Sequence, residues 1–183
     1  MSYLLDVCEE LKTNAAQIRE EEISAAVQLI LDSKRLFLAG TGRSGFVARA
    51  FSNRLMHLGK TVYFVGEPTT PSIQKDDLLI IISGSGETGS LRVMAQKAIS
   101  QKARILTMTI HPKATIGQLA SVSIVIPGAT PKSELEDTCK TIQPMGNAFE
   151  QMAWLICDVI IKYLMTALNK TEEEMFRLHA NLE

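Results

Sequence analysis

Leu78 to Ile82 is an unbroken run of β-prone apolar residues that ends directly in Ser83-Gly84-Ser85-Gly86-Glu87-Thr88. A strand that is apolar at every position is buried on both faces, so it belongs inside a sheet covered by helices. The glycines and hydroxyls then lead into a helical segment from about Thr88 to Gln101. Such a junction gathers unpaired backbone N–H groups, the positive end of a helix dipole and hydroxyl donors in one place. It suits a phosphate group. There is no G-x-x-x-x-G-K-[ST], so this is not a nucleoside-triphosphate loop. Small residues also make plain turns, and Thr88 alone could be an N-cap. Three hydroxyls and three glycines between Ser83 and Gly89 exceed what a turn needs.

The flanking sequence repeats the alternation. Residues 4 to 32 read as two amphipathic helices. Strands are predicted at Arg35–Ala39, Thr61–Val65, Arg104–Ile110 and Val122–Ile126. A turn at Gly40–Gly45 feeds a helix from Phe46 to Leu58, stopped by Gly59. A short helix is predicted near Ile116–Ala120. Pro127–Gln143 reads as a long polar loop. Pro144 is placed as the first residue of a helix reaching about Leu168, and Thr171-Glu-Glu-Glu174 as a capping box. The pattern predicts one α/β domain over residues 1–183, a three-layer α/β/α sandwich with a five-stranded parallel sheet. Ligands of such sheets sit beyond the strand C-termini, where both glycine loops fall.

Net charge is −1 with no basic block, which argues against a nucleic-acid partner. The stretch from Met152 to Leu168 is interrupted by Asp158 and Lys162 and reads as a buried helix, not a membrane span. No signal peptide is evident at the N-terminus. Cys8, Cys139 and Cys157 are widely spaced and outside any C-x-x-C, which predicts thiols in a reducing cytoplasm. No His or Cys pair has ligand spacing, so no metal is expected.

Gly40-Thr-Gly-Arg-Ser-Gly45 matches G-x-G-x-x-G, with Glu67 near the end of the next strand. Three readings stand: a dinucleotide site, a structural tight turn, and a sugar-contacting loop with Ser44 and Arg43 as donors. On the long helix, Asn147, Gln151, Asp158 and Lys162 form a polar stripe, and Glu150 lies roughly 90° from its centre. Its carboxylate is either half-exposed or held in an apolar site, where a general base near neutral pH becomes available. On residue type alone His57 is a packed or surface histidine, and His111 a turn residue. His179 ends the chain in Leu178-His-Ala-Asn-Leu-Glu183, a tail that frays or docks. Phe149, Met152, Trp154, Tyr163 and Met165 read as core or subunit interface.

Together, Gly-x-Gly-Arg-Ser-Gly and Ser-Gly-Ser-Gly-Glu-Thr resemble the sugar isomerase (SIS) domain. Arg54-Leu-Met-His-Leu-Gly59, Val65-Gly-Glu67, Lys140-Thr-Ile-Gln-Pro-Met-Gly146, Phe149-Glu-Gln151 and His179-Ala-Asn-Leu-Glu183 are similar to the 6-phospho-3-hexuloisomerase family within it. The resemblance covers nearly the whole chain. It implies a flavodoxin-like arrangement and a metal-free, cofactor-free isomerase in the ribulose monophosphate pathway. That enzyme interconverts D-arabino-3-hexulose 6-phosphate and D-fructose 6-phosphate through a cis-enediol. It implies a cytoplasmic homotetramer with interface active sites, helped by helices at about 2–33 and 144–180, working beside a hexulose-phosphate synthase. Matching positions put substrate contacts at Gly42, Arg43, Ser44, Ser83, Gly84, Ser85, Gly86, Glu87, Thr88 and Gly89. They put the catalytic set at Glu150, His57 and His179, with an adjacent subunit as a source of the last. Glu134 and Glu136 lie in the least family-like stretch. The alternatives are a phosphosugar-sensing regulatory module, disfavoured by the lack of a helix-turn-helix, and an NAD-dependent oxidoreductase.

Overall fold

A computed structural model describes residues 2–130 and 139–182. Two helices, α1 (Tyr3–Ala15) and α2 (Glu20–Leu31), precede β1 (Leu36–Gly40), α3 (Gly42–His57) and β2 (Val62–Phe64). Then come β3 (Leu78–Ile82), α4 (Gly89–Ser100), β4 (Arg104–Thr109), α5 (Thr115–Leu119) and β5 (Val122–Val125). A 3₁₀ turn at Pro144–Gly146 leads into α6 (Asn147–Ala167), and α7 spans Glu172–Phe176. The sheet has five strands in the order β2-β1-β3-β4-β5, and every pairing is parallel.

Alternation along the strands divides the core in two. Leu36 and Leu38 of β1, with Leu78, Ile80 and Ile82 of β3, pack against α2, α3 and α6. Phe37, Ala39, Leu79 and Ile81 face α4 and α5 on the other side. All five β3 side chains are buried, as a central strand covered by two helical layers requires. Helix α1 packs on the outside of α6. The expected three-layer, five-stranded parallel architecture is therefore present. At the chain's end, Thr171 and Glu174 form the predicted capping box.

Connectivity sets where a ligand can sit. From β1 the chain goes through α3 to β2 at one edge, and from β3 through α4 to β4 on the other side. The β1 and β3 loops thus diverge at the switch point and leave a crevice at the strand C-termini.

Two boundaries differ from expectation by three residues or more. Helix α3 begins at Gly42, inside the supposed turn, so Arg43 and Ser44 stand in its first turn. A Cβ on Gly45 would come within 2.8 Å of the Gly40 carbonyl oxygen, so helix and strand meet there only because both positions lack side chains. Pro144 opens a 3₁₀ turn, not α6. Met145 and Gly146 take φ of 58° and 84°, and this left-handed kink delays the helix to Asn147.

Candidate active site

The crevice between the β1 and β3 loops is a cavity of about 280 Å³, closed on its third side by the start of α6. Ser83 continues the sheet ladder, its N–H donating to Met108 O at 3.0 Å. The loop then turns on its own hydroxyls. Gly86 N–H donates to Ser83 Oγ, and Glu87 N–H donates to Ser85 Oγ, both at 3.3 Å. Both serines are buried and line the cavity. Thr88 holds the N-cap position of α4, but its side chain makes no capping bond, and it too faces the cavity. A plain cap would have used that hydroxyl.

The starts of three helices border it: Thr41 and Gly42 at α3, the N-cap Thr88 of α4 and the N-cap Gly146 of α6. Each presents backbone N–H groups without intrahelical partners. Their dipoles make the crevice favourable for an anion.

Glu150 lies in the first turn of α6 and reaches the same cavity. Its side chain is 15% exposed and is ion-paired with Arg43 of α3. The surroundings are therefore not purely apolar; the carboxylate is enclosed but has a cationic partner.

Of the other expected contacts, Gly42, Arg43, Ser44, Ser83, Gly84, Ser85 and Thr88 line the cavity, whereas Gly86, Glu87 and Gly89 do not. Glu87 turns away from it. Its carboxylate accepts from Thr115 N–H at 2.6 Å and from Thr115 Oγ1 at 2.9 Å, and it pairs with Arg92. The Thr115 backbone bond is the main cause that holds Glu87 below the usual carboxylate pKa, so it stays ionised. Its structural effect is to clamp α5 to the Ser83–Thr88 loop. The same clamp includes Ile116 N–H, which donates to Gly86 O at 3.1 Å.

The histidines stand apart from Glu150 within the subunit. His57 ends α3, fourteen residues or about 21 Å of helix beyond Arg43. It is buried and stacked on His179, with ring centroids 5.1 Å apart. Burial is the largest of the effects that push its pKa below the ordinary value, ahead of His179 and Arg54. The pair lines a second cavity of about 270 Å³ that includes Arg54 and Asp158. Glu67 does not reach the crevice; it pairs with Arg49 of α3. Glu134 and Glu136 lie outside the described residues.

The cavity also takes in Thr41, Met145 and Phe149, which the sequence reading passed over as site residues. Thr41 was discoverable, since it sits inside the glycine motif at a helix start. Met145 was not, because its left-handed backbone carries no residue signal. Among the described residues no group of three or more His, Cys, Asp or Glu side chains gathers as a metal site. Among the same residues no helix is long and apolar enough to cross a membrane.

The SIS domain family model matches residues 29–155. A Bacillus subtilis 3-hexulose-6-phosphate isomerase is 44% identical over 181 residues, covering 99% of this chain and 97% of its own length. A Methanocaldococcus jannaschii 3-hexulose-6-phosphate isomerase is 38% identical over 164 residues, covering 89% and 85%. A crystal structure of a Methanococcus jannaschii protein, for which the function 3-hexulose-6-phosphate isomerase was inferred, superposes with a TM-score of 0.83. It is 35% identical and is matched over 100% of both chains. The strand–serine loop–helix crevice and these full-length likenesses agree, and the chain belongs to the SIS domain family, in the group that includes these isomerases.

Proposed function

We propose that this protein is a 3-hexulose-6-phosphate isomerase that converts D-arabino-3-hexulose 6-phosphate into D-fructose 6-phosphate and back. Relatives carrying that name match it at 34–44% identity. The observation that carries the reading is one cavity that, among the described residues, holds neutral anion donors at one side and a single carboxylate, Glu150, at the other.

The reaction moves a carbonyl from C3 to C2. A base removes the C2 proton, giving a cis-enediol, and a proton is returned at C3. Glu150 is the base in this scheme. A positioned base contributes roughly 10²–10⁴ in rate. Ser83, Ser85, Thr88 and the α4 N-terminus hold the phosphate, which takes no part in the chemistry. Its binding energy is used to place C2 and C3 at the carboxylate.

Movement of a proton between O2 and O3 needs a second group. His57 and His179 take that role from a neighbouring subunit, since about 21 Å of helix separates His57 from the crevice in its own subunit. An exposed apolar strip supports such assembly. It runs over Leu4 and Leu5 of α1, Phe46 of α3, and Trp154, Leu155 and Val159 of α6, and it borders Glu150. The single domain with its terminal helices then forms a homotetramer with active sites at its interfaces. It works in the cytoplasm in the ribulose monophosphate pathway, on the product of a hexulose-phosphate synthase.

The test is a coupled assay that detects fructose 6-phosphate formed from D-arabino-3-hexulose 6-phosphate. Turnover of that sugar above other ketose phosphates is the expected result. Absence of turnover, with activity on a pentose or heptose phosphate instead, overturns it.

A further inference from the structure

Arg43 is the only cation, and Glu150 the only anion, among the described residues that line the cavity. They are paired with each other. Arg43 Nε donates to Glu150 Oε2, joining the first turns of two helices across 107 residues of sequence. The carboxylate is 15% exposed and the guanidinium side chain 62%. A charge so far withdrawn from water needs a partner, and among the described residues Arg43 is its only ion pair. Only one carboxylate oxygen is engaged; Oε1 accepts no hydrogen bond from the described residues. The phosphate end of the crevice, in contrast, is furnished by hydroxyls and helix N–H groups, and among the described residues no side-chain cation lines it apart from Arg43.

We propose that Arg43 is a positioning residue for Glu150 and not a phosphate contact. It tethers one carboxylate oxygen and leaves the other to take the proton from carbon. The inference rests on the isomerase reading above. A glutamate side chain has several rotamers, and a base displaced by about 1 Å loses on the order of 10²-fold in rate. A side-on guanidinium contact from a different helix removes that freedom. The cation also stays beside the base while the neutral loop grips the ester, so grip and chemistry are governed by separate residues.

Arg43→Gln and Arg43→Lys in the full chain test this, with D-arabino-3-hexulose 6-phosphate as substrate and inorganic phosphate as competitive inhibitor. For Arg43→Gln, kcat should fall about 10²-fold, while KM and the phosphate inhibition constant stay within about threefold. Arg43→Lys keeps the charge without the planar fork, and should recover about tenfold of the lost kcat. Unchanged kcat with KM and the phosphate constant both raised overturns the proposal, because Arg43 is then an anion contact. If Arg43→Gln fails to fold by circular dichroism, Arg43→Lys carries the same split, with kcat lowered and phosphate inhibition retained. A wild-type protein inactive on this sugar overturns the isomerase reading and the proposal together. An active wild type with full kcat in Arg43→Gln overturns the proposal alone.

Discussion

Replacing Gly86 by alanine should weaken both the fold and the grip on substrate, by an amount the local geometry sets. Gly86 has φ of +65°, and a Cβ built there would lie 2.8 Å from the Ala114 methyl. The left-handed backbone costs an L-residue about 1–2 kcal/mol. Two methyl carbons normally approach to about 4 Å, so loop and α5 must separate by roughly 1 Å, an overpacking cost of about 1–3 kcal/mol. The sum, about 2–5 kcal/mol, is a large part of the roughly 5–15 kcal/mol that holds a domain together. Separation also disturbs the Ile116 N–H to Gly86 O bond and the adjoining Glu87 clamp. KM for the phosphosugar should therefore rise more than kcat falls. Urea denaturation gives the first quantity from the midpoint at constant slope, and steady-state kinetics the second. Pairing the change with Ala114→Gly removes the clash but not the backbone strain, so about 1–3 kcal/mol should return. Stability within about 0.5 kcal/mol of wild type for Gly86→Ala, or no recovery in the double variant, would refute the account.

Glu150→Gln removes the base without changing the size of the side chain. It should lower kcat by about 10²-fold or more while the phosphosugar still raises the melting temperature; near-normal turnover would exclude Glu150 as base. Ser85→Ala deletes one hydroxyl from the anion loop. A hydrogen bond to a charged group is worth about 1.5–3 kcal/mol, so KM should rise on the order of 10- to 100-fold, and an unchanged KM would place the phosphate elsewhere. Acid should destabilise the protein through His57. The unfolded chain takes up this proton near the ordinary value of 6.5, whereas the buried, stacked ring resists it to lower pH. The unfolded state then binds more protons, so stability falls as pH drops below about 6.5. His57→Gln should flatten that part of the melting-temperature profile, and an unaltered slope would assign the loss to another group. Glu87, held ionised by Thr115, contributes in a lower window: its stabilisation is lost as pH falls from about 4.5 through its depressed folded value.

The sheet was legible because each strand is an apolar run of the length a covered strand needs, with Leu78 to Ile82 the clearest. The place of the Ser83–Thr88 loop at a strand–helix junction was legible for the same reason, since strand and helix periodicity flank it directly. What escaped the sequence were contacts between distant residues. Glu87 looks like a ligand residue until Thr115, 28 positions on, accounts for its carboxylate. The Arg43–Glu150 pair spans 107 positions, and no local pattern announces it. His57 belongs to the same motif-bearing unit as Arg43, yet the helix between them carries it to the opposite end of the sheet. Pro144 misled because proline favours the first residue of a 3₁₀ turn as readily as that of an α-helix, and the left-handed kink at Met145 follows it.

Because every strand of the sheet points the same way, one rim carries the Ser83–Thr88 loop, and the opposite rim carries reversals of the chain beside the His57–His179 pair. The reversal at Lys102, between α4 and β4, is exposed and has φ of 61°. Twelve helical residues, about 18 Å, separate it from the α4 N-terminus. A reporter peptide or a small fluorescent module spliced there would hang from the scaffold without touching the crevice, which makes Lys102 a natural attachment point for a sensor read out by ligand occupancy.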